Sequence, residues 1–239
     1  MQFKPIVLLL VLYLSWDQNL CGQAGFFATY QQSDFKTWKE MITENLPEGH
    51  ATLKNGFQTG LDYGFGLENV RIDLFPGAFY RFAKSEQSSL AHELYLYAFE
   101  STIHQIGIGI QVNIYPLDLL SRQSMECPSF YRGAEKFTKG WFIAAKPSLI
   151  YSMKTGLPSY FPDVAIEPQT SSKVILDFAI GTGLDIGINK KISLTPYIMY
   201  GFSVGERWNG LSNYFEEPSY NDTTQANHLF AGIRLGYWW

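Results

Sequence analysis

The sequence predicts an all-β fold, a closed antiparallel transmembrane β-barrel of about eight strands with a short N-terminal helix. Three observations predict it. Apolar and polar residues alternate over long runs, these runs exceed the usual length of strands in soluble domains, and the last run ends in aromatic residues. The 239 residues suit one barrel domain, and charged residues make up 17%, below the roughly 25% of soluble proteins.

The first residues are typical of a secretion signal. A lysine at position 4 is followed by an apolar run over residues 6–14, and Gly22-Gln23-Ala24 offers small residues at the positions that signal peptidase prefers. The apolar run is too short to span a bilayer as a helix, which takes about 20 residues. We therefore predict a cleaved signal peptide over residues 1–24.

The two cysteines leave one alternative open at this end of the chain. In a lipoprotein signal, Cys21 would be the lipidated residue. If cleavage instead follows Ala24, Cys127 is the single remaining cysteine, so we expect neither an internal disulfide nor a cysteine metal site.

A short helix is predicted between the signal and the barrel. It runs from Asp34 to Leu46, with a capping box of Thr37 and Glu40 and with apolar residues on one side at Phe35, Trp38, Ile42 and Leu46. We interpret it as a helix that closes the periplasmic end of the barrel, and a plug or partner-binding helix is the alternative. The predicted organisation is thus a periplasmic segment over residues 25–52 and the barrel over residues 53–239.

Period-two alternation predicts the strands. From Phe57 to Leu67 the odd positions are apolar or aromatic, apart from Thr59, and the even positions are small or polar. The pattern recurs over 70–82, 105–114, 173–189, 192–204 and 229–239, and two less clearly sided stretches are 89–100 and 140–153. Runs of about 10 to 16 residues reach the 9 to 11 that a tilted strand needs to cross a bilayer.

The predicted connections are alternately tight and long, which is typical of membrane barrels. Tight turns are predicted at 68–69, 100–101 and 189–190, and longer loops at 117–138, 154–171 and 206–226. If both ends of an even-stranded barrel are periplasmic, the loop 117–138 falls on the side where short connections are expected.

In a bilayer no backbone polar group can stay unpaired, so a spanning sheet must close on itself and turn its apolar side chains to lipid. The glycine-rich, moderately charged polar face then suits a narrow interior. We predict a salt-bridged interior network, with a narrow polar pore as the alternative. Its members are Gln58, Asp62, Arg71, Asp73, Arg81, Gln105, Gln111, Asn113, Lys146, Asp177, Asp185 and Arg234.

The last strand, 229–239, ends in Tyr237, Trp238 and Trp239. This ending resembles the C-terminal signal by which outer-membrane barrels are recognised by their assembly machinery, with Trp239 where Phe is usual. The chain over residues 35–239 resembles the porin-like outer-membrane protein β-barrel family of small barrels. The stretches that carry the resemblance are Gly60–Phe65, Arg71–Pro76, Asn113–Asp118, Cys127–Phe130 and Lys139–Phe142. The resemblance implies the fold and an outer-membrane location, and no common activity.

The sequence predicts no catalytic, cofactor-binding or metal-binding residue. It contains no nucleophile elbow and no zinc-type histidine spacing. The histidines at 50, 92, 104 and 228 are predicted to lie at the rim or in loops. A net charge of −4 without a basic run makes nucleic acid an unsuitable partner.

We therefore expect a non-enzymatic protein of the bacterial outer membrane with a structural, adhesive or surface-recognition role. Its partners would be membrane lipid, the barrel assembly machinery and an extracellular ligand at the loops. Two alternatives are a narrow porin-like channel for small solutes and a soluble periplasmic, lipocalin-like binder of an apolar ligand. The lipocalin-like barrel would have the same alternation with its two faces reversed.

Overall fold

The computed structural model describes residues 22–38, 40, 55–67, 72–91, 95–117, 140–160, 169–188, 191–209 and 222–238. These residues are almost entirely β-strand. The strands are β1 Gly22–Phe35, β2 Asn55–Gly66, β3 Ile72–Ala91, β4 Tyr95–Ile114, β5 Trp141–Tyr160, β6 Gln169–Leu184, β7 Ile186–Gly187, β8 Ile192–Arg207 and β9 Thr223–Trp238.

The sheet is antiparallel throughout and closes on itself. Each strand from β1 to β5 pairs with the next along the chain, β9 pairs with both β8 and β1, and β6 pairs with β8. The short β7 continues β6 along β8 in the same register. The two are separated because this register places Leu184 opposite Pro196, which has no N–H to donate to the sheet. Counting β6 and β7 as one, the structure is the predicted closed eight-stranded barrel.

The polar face of the strands is the inner one. In β1, buried residues such as Phe27, Thr29 and Gln31 alternate with exposed ones such as Phe26 and Tyr30. Elsewhere the outward side chains are large, apolar and exposed, as with Leu61 at 66% and Ile108 at 61%. This is the orientation of a transmembrane barrel and the reverse of the lipocalin-like arrangement.

The first strand lies upstream of the predicted barrel boundary at residue 53. β1 occupies residues 25–35 of the predicted periplasmic segment, 25–52, and includes residues 22–24, which the sequence pattern assigns to the signal peptide. The alternation is weak here because Phe27 and Phe35 point inward, so aromatic residues occur on both faces of the strand. The sheet therefore begins upstream of the predicted boundary at residue 53, and β1 overlaps residues 22–24 of the predicted signal peptide.

The short helix occurs inside its predicted span, Asp34–Leu46. Residues 36–38 and 40 are helical, directly after β1, and the rest of the predicted helix lies outside the described residues. We call the end of the barrel with Gly22 and Trp238 the turn end and the opposite end the loop end. The helical residues lie at the loop end, opposite the end with Gly22 and Trp238.

β3 and β4 form a single long hairpin. The predicted tight turn at Glu100-Ser101 is wrong, since these residues pair with Glu86 and Ser85 in the middle of the hairpin. This polar stretch fits a strand because it lies beyond the last β2–β3 pair, Gly56 with Ala83. The number of strands still agrees with the prediction, since β1 replaces the strand that the merger removes.

Three strands continue past the loop end of the barrel. Residues 84–91 of β3 and 95–102 of β4 remain paired up to Ala91 and Tyr95, and residues 155–160 of β5 pair with β4. We call these residues the projecting sheet. At about 3.3 Å per residue, β3 extends about 25 Å beyond its last pair with β2.

A bulge in β8 changes which residues face inward. Gly205 has φ of 82°, and the β8–β9 register shifts between Ser203 and Glu206, so that both of these side chains are buried.

A Cβ at Gly205 would meet only Lys173 Nζ, at 3.9 Å. Gly205→Ala should therefore cost about 1–2 kcal/mol through backbone strain alone. Urea unfolding in detergent measures this loss, and Gly205→Asn should lose less, since asparagine tolerates this conformation; equal losses would contradict the account.

Candidate functional site

Three buried ion pairs cross the described interior at successive levels. At the turn end, Arg234 of β9 binds Asp62 of β2 in a bidentate manner, with Nη2 to Oδ1 at 2.6 Å and Nε to Oδ2 at 2.9 Å. The guanidinium also donates to Gln23 Oε1 at 2.6 Å, and Gln23 donates to Ser193 Oγ at 2.5 Å. Gly25 of β1 lies between the paired side chains, where any Cβ would overlap both.

In the middle of the barrel, Arg81 of β3 pairs with Asp177 of β6, with Nη2 2.7 Å from Oδ2. Arg81 Nε donates to Gln58 Oε1 at 2.5 Å, and Ser203 donates to the other oxygen of Asp177 at 2.7 Å. Both ionic side chains are almost fully buried. The pair and its hydrogen bonds connect β2, β3, β6 and β8 across the interior.

His228 extends this network to β1. Gln31 Nε2 donates to His228 Nδ1 at 2.9 Å, so the network assigns the ring proton to Nε2, which lies 2.9 Å from Ser203 Oγ. Asp177 therefore accepts from Ser203 and does not orient His228. A Ser–His–acid triad needs the reverse order, with the serine proton passing to the histidine. The prediction that His228 lies at a rim or in a loop is wrong, since it is 1% exposed inside the barrel.

At the loop end, Lys154 of β5 pairs with Glu206 of β8, at 2.5 Å between Nζ and Oε2, and neither side chain is exposed. Gln105 donates to Glu206 Oε1 at 2.9 Å. The rings of Trp38 and Trp208 pack edge to face above this pair, with their centroids 5.5 Å apart. The aromatic residues thus separate the ion pair from the rim.

Apolar side chains fill the space between these levels. Phe27, Phe79, Ile150 and Ile175 form one buried cluster, and a second consists of Tyr115, Phe142, Ala144, Ala179, Met199 and Phe230. A cavity beside Arg81 and Gln105 has a volume of about 10 Å³, no more than one water molecule needs. The described interior is packed as expected for eight strands, which disfavours the channel.

The structure places the predicted interior residues as follows. Gln58, Asp73, Arg81, Gln105, Asn113, Asp177 and Arg234 are buried, and Asp62 is nearly so. Gln111 donates to Asn113, Asp185 accepts from Thr195, and Lys146 lies over two phenylalanine rings. Arg71 lies outside the described residues.

Sequence reasoning missed Gln23, Gln31, Lys154, Glu206 and His228. The first two belong to the strand that was not predicted, and the bulge at Gly205 hides the direction of Glu206. Lys154 had a usable signal, because it continues the inward even positions of β5 through Ser148 and Ser152.

The outer surface has an apolar band with aromatic residues near both ends. Tyr30 and Tyr80 lie towards the loop end, and Trp141 and Tyr237 lie at the turn end. Tyr80 Oη is 2.6 Å from Nδ1 of the exposed-face His104. Amphipathic rings at two levels are typical of the two membrane interfaces of a barrel. Trp238 ends β9, and Trp239 lies outside the described residues, as do His50 and His92.

Neither a helix of membrane-spanning length and hydropathy nor a group of three or more metal-ligating side chains occurs in the part of the chain that the structure describes. The fold and its apolar outer face define a small β-barrel of the outer-membrane type. No protein-family model matches the chain, and no curated protein matches it significantly.

Several solved structures resemble the chain in architecture. Neisserial surface protein A is 10% identical with a TM-score of 0.43, and covers 89% of this chain and 95% of its own. A major outer membrane protein of Thermus thermophilus is 12% identical with a TM-score of 0.47, at 90% and 99% coverage. Ail of Yersinia pestis is 15% identical with a TM-score of 0.36, at 91% and 99% coverage. Because all three TM-scores are low, the fold assignment rests on the strands of this chain.

Proposed function

We propose that this protein is a non-enzymatic barrel of the bacterial outer membrane that presents a recognition or adhesive surface outside the cell. The projecting sheet carries this proposal, because it stands beyond the barrel on strands that the packed interior holds in place. Residues beyond the apolar band do not contribute to anchoring, so a long ordered extension suits contact with an external partner. Membrane lipid would contact the apolar band of the outer surface.

The direction of insertion follows from the connections. Short periplasmic turns and longer extracellular loops are typical of such barrels. Residues 67–71 and 188–191 connect strands at the turn end, and 36–54, 92–94, 161–168 and 208–222 at the loop end. The turn end would thus be periplasmic, with the 115–140 connection as an unusually long inner loop. The C-terminal residues Tyr237, Trp238 and Trp239 would there be available to the assembly machinery.

Export through a signal peptide is part of the proposal, with cleavage ahead of Gln23. Cleavage after Ala24 would remove Gln23, whose side chain joins Arg234 to Ser193 inside the barrel. The intact mass of the protein from isolated membranes should therefore include residue 23. A mass that begins at Gly25 would show that the barrel forms without this contact.

The surface role is tested with a protease site placed between Ala91 and Tyr95, at the tip of the projecting sheet. Protease added to intact cells should cleave this variant. A matched site between Leu67 and Ile72, at the turn end, should be cleaved only after the outer membrane is permeabilised. The reverse pattern, or no cleavage of the first variant in cells that carry it, would contradict the proposed surface exposure.

The recognition role is tested by replacing residues 86–99 with a tight turn, which removes the tip but no inward ion pair. Nanodiscs with the full barrel should bind some element of a glycan and peptide array that nanodiscs with the shortened barrel do not. Equal binding by both, or binding no greater than that of empty nanodiscs, would contradict the role.

A planar bilayer distinguishes the recognition protein from the channel. We expect no stepwise conductance from the reconstituted protein, since ion pairs and aromatic residues fill the described interior. Reproducible ohmic steps that scale with salt concentration would favour the narrow channel instead.

A further inference from the structure

Lys146 is exceptional among the inward cations described above. Arg81, Lys154 and Arg234 each have a carboxylate within 2.7 Å. Lys146 also points inward from β5, yet among the described residues it has no carboxylate within ion-pair distance. The nearby acids are already engaged, since Asp62 binds Arg234 and Asp177 binds both Arg81 and Ser203. The ammonium of Lys146 is therefore not ion-paired with any carboxylate of the residues that the structure describes.

The ammonium of Lys146 lies between two aromatic rings. Its Nζ is 4.5 Å from the ring centroid of Phe27 and 4.9 Å from that of Phe79. The ring faces attract a cation, but they offer no lone pair to its three N–H donors. Burial of a charge without a hydrogen-bonded counter-charge is costly, so the rings alone do not account for this lysine.

Two further donors near Lys146 have no partner among the described residues. Ser148 Oγ belongs to the next inward position of β5, and Arg81 Nη1 belongs to a guanidinium centred 4.8 Å from the same Phe79 ring. Both atoms are buried. Because both distances are measured to one centroid, the two cationic groups lie within about 10 Å of each other. This region thus contains several donors and an excess of positive charge.

Lys146 is half-buried, whereas its inward neighbours Ala144, Ser148 and Ile150 on β5 are buried. The adjoining aromatic and aliphatic residues are packed, so an occupant beside Lys146 must be small and cannot be an organic molecule.

We propose that the barrel interior binds a small monovalent inorganic anion, such as chloride, at Lys146 and Ser148. The anion accepts from the ammonium and from the hydroxyl, and it supplies Lys146 with the ion-pair partner that no described carboxylate provides. The site concerns the interior of the barrel and is independent of the surface role proposed above.

The test uses crystals of the detergent-solubilised barrel grown in sodium bromide, with data collected at the bromine edge. We expect an anomalous peak within about 3.5 Å of Lys146 Nζ. Lys146→Met should abolish the peak, and Ser148→Ala should reduce its occupancy at least twofold. Lys191→Met, which removes an exposed lysine at the turn end, is the matched control and should retain the peak.

A second measurement applies if the Lys146→Met variant does not crystallise. The urea midpoint of the wild type should rise when chloride replaces gluconate at constant ionic strength, since a ligand stabilises the state that binds it. Lys146→Gln should lose this rise, and Lys191→Met should keep it. No peak in the wild type would overturn the proposal, as would a midpoint indifferent to chloride. A peak that persists in Lys146→Met would mean an adventitious ion only.

Discussion

Glu206→Ala should destabilise the barrel by about 3–5 kcal/mol, because it leaves the Lys154 ammonium buried and unpaired. Lys154 is completely buried beneath Trp38, and its contacts with Glu206 and the Arg207 carbonyl are its described polar partners. Without the carboxylate, the structure must either keep an isolated charge or admit water at the loop end. Urea unfolding in detergent micelles, followed by tryptophan fluorescence, measures the loss.

The chain contains a matched control for this prediction. Lys84 and Glu100 form an ion pair 3.1 Å apart whose side chains are 41% and 44% exposed, so Glu100→Ala should cost less than about 1 kcal/mol. The double variant Lys154→Met with Glu206→Leu should recover much of the stability, since it removes both charges. Equal losses for Glu206→Ala and Glu100→Ala would contradict the buried position of the Lys154–Glu206 pair.

Ile180→Arg should destabilise the barrel by about 2–4 kcal/mol in a bilayer, because residue 180 faces lipid near the middle of the apolar band. Ile180 is 52% exposed on the outer face of β6. In water an arginine at such a position would cost little, so the loss depends on the surrounding hydrocarbon. Urea unfolding in phospholipid vesicles measures it.

Ser172→Arg is the matched control on the same strand and the same face. Ser172 is exposed and lies eight positions closer to the loop end, or about 26 Å along β6, beyond the apolar band. The substitution there should change stability by about 1 kcal/mol or less. If Ile180→Arg and Ser172→Arg behave alike in vesicles, the outer face does not contact lipid.

The closed barrel could be predicted because its strands are long and their two faces differ in polarity. β2, β6 and β8 have clear alternation, so their positions and faces agree with the prediction. β1 could not be predicted in this way, because Phe27 and Phe35 place aromatic rings on the inner face. The β3–β4 hairpin was divided at Glu100 because Glu100, Ser101 and Thr102 are consecutive polar residues that interrupt the alternation.

The candidate site was partly predictable for a related reason. Because every second residue of a regular strand faces the same side, the alternation identifies inward residues such as Asp62, Arg81 and Asp177. It cannot identify which acid meets which base, since Arg234 and Asp62 meet only through the barrel closure across β1. Glu206 was missed because odd-numbered residues of β8 face inward up to Ser203, whereas the bulge at Gly205 turns the even-numbered Glu206 inward. The sequence alone does not reveal such a change.

The central claim is that this chain forms a closed barrel in a bilayer with its apolar face outward. The most direct test runs the protein from isolated outer membranes on an SDS gel, with and without boiling. We predict that it fractionates with the membrane, and that the unheated form resists SDS and migrates differently from the boiled, unfolded form. Recovery in the soluble periplasm, with a single mobility in both lanes, would contradict the claim.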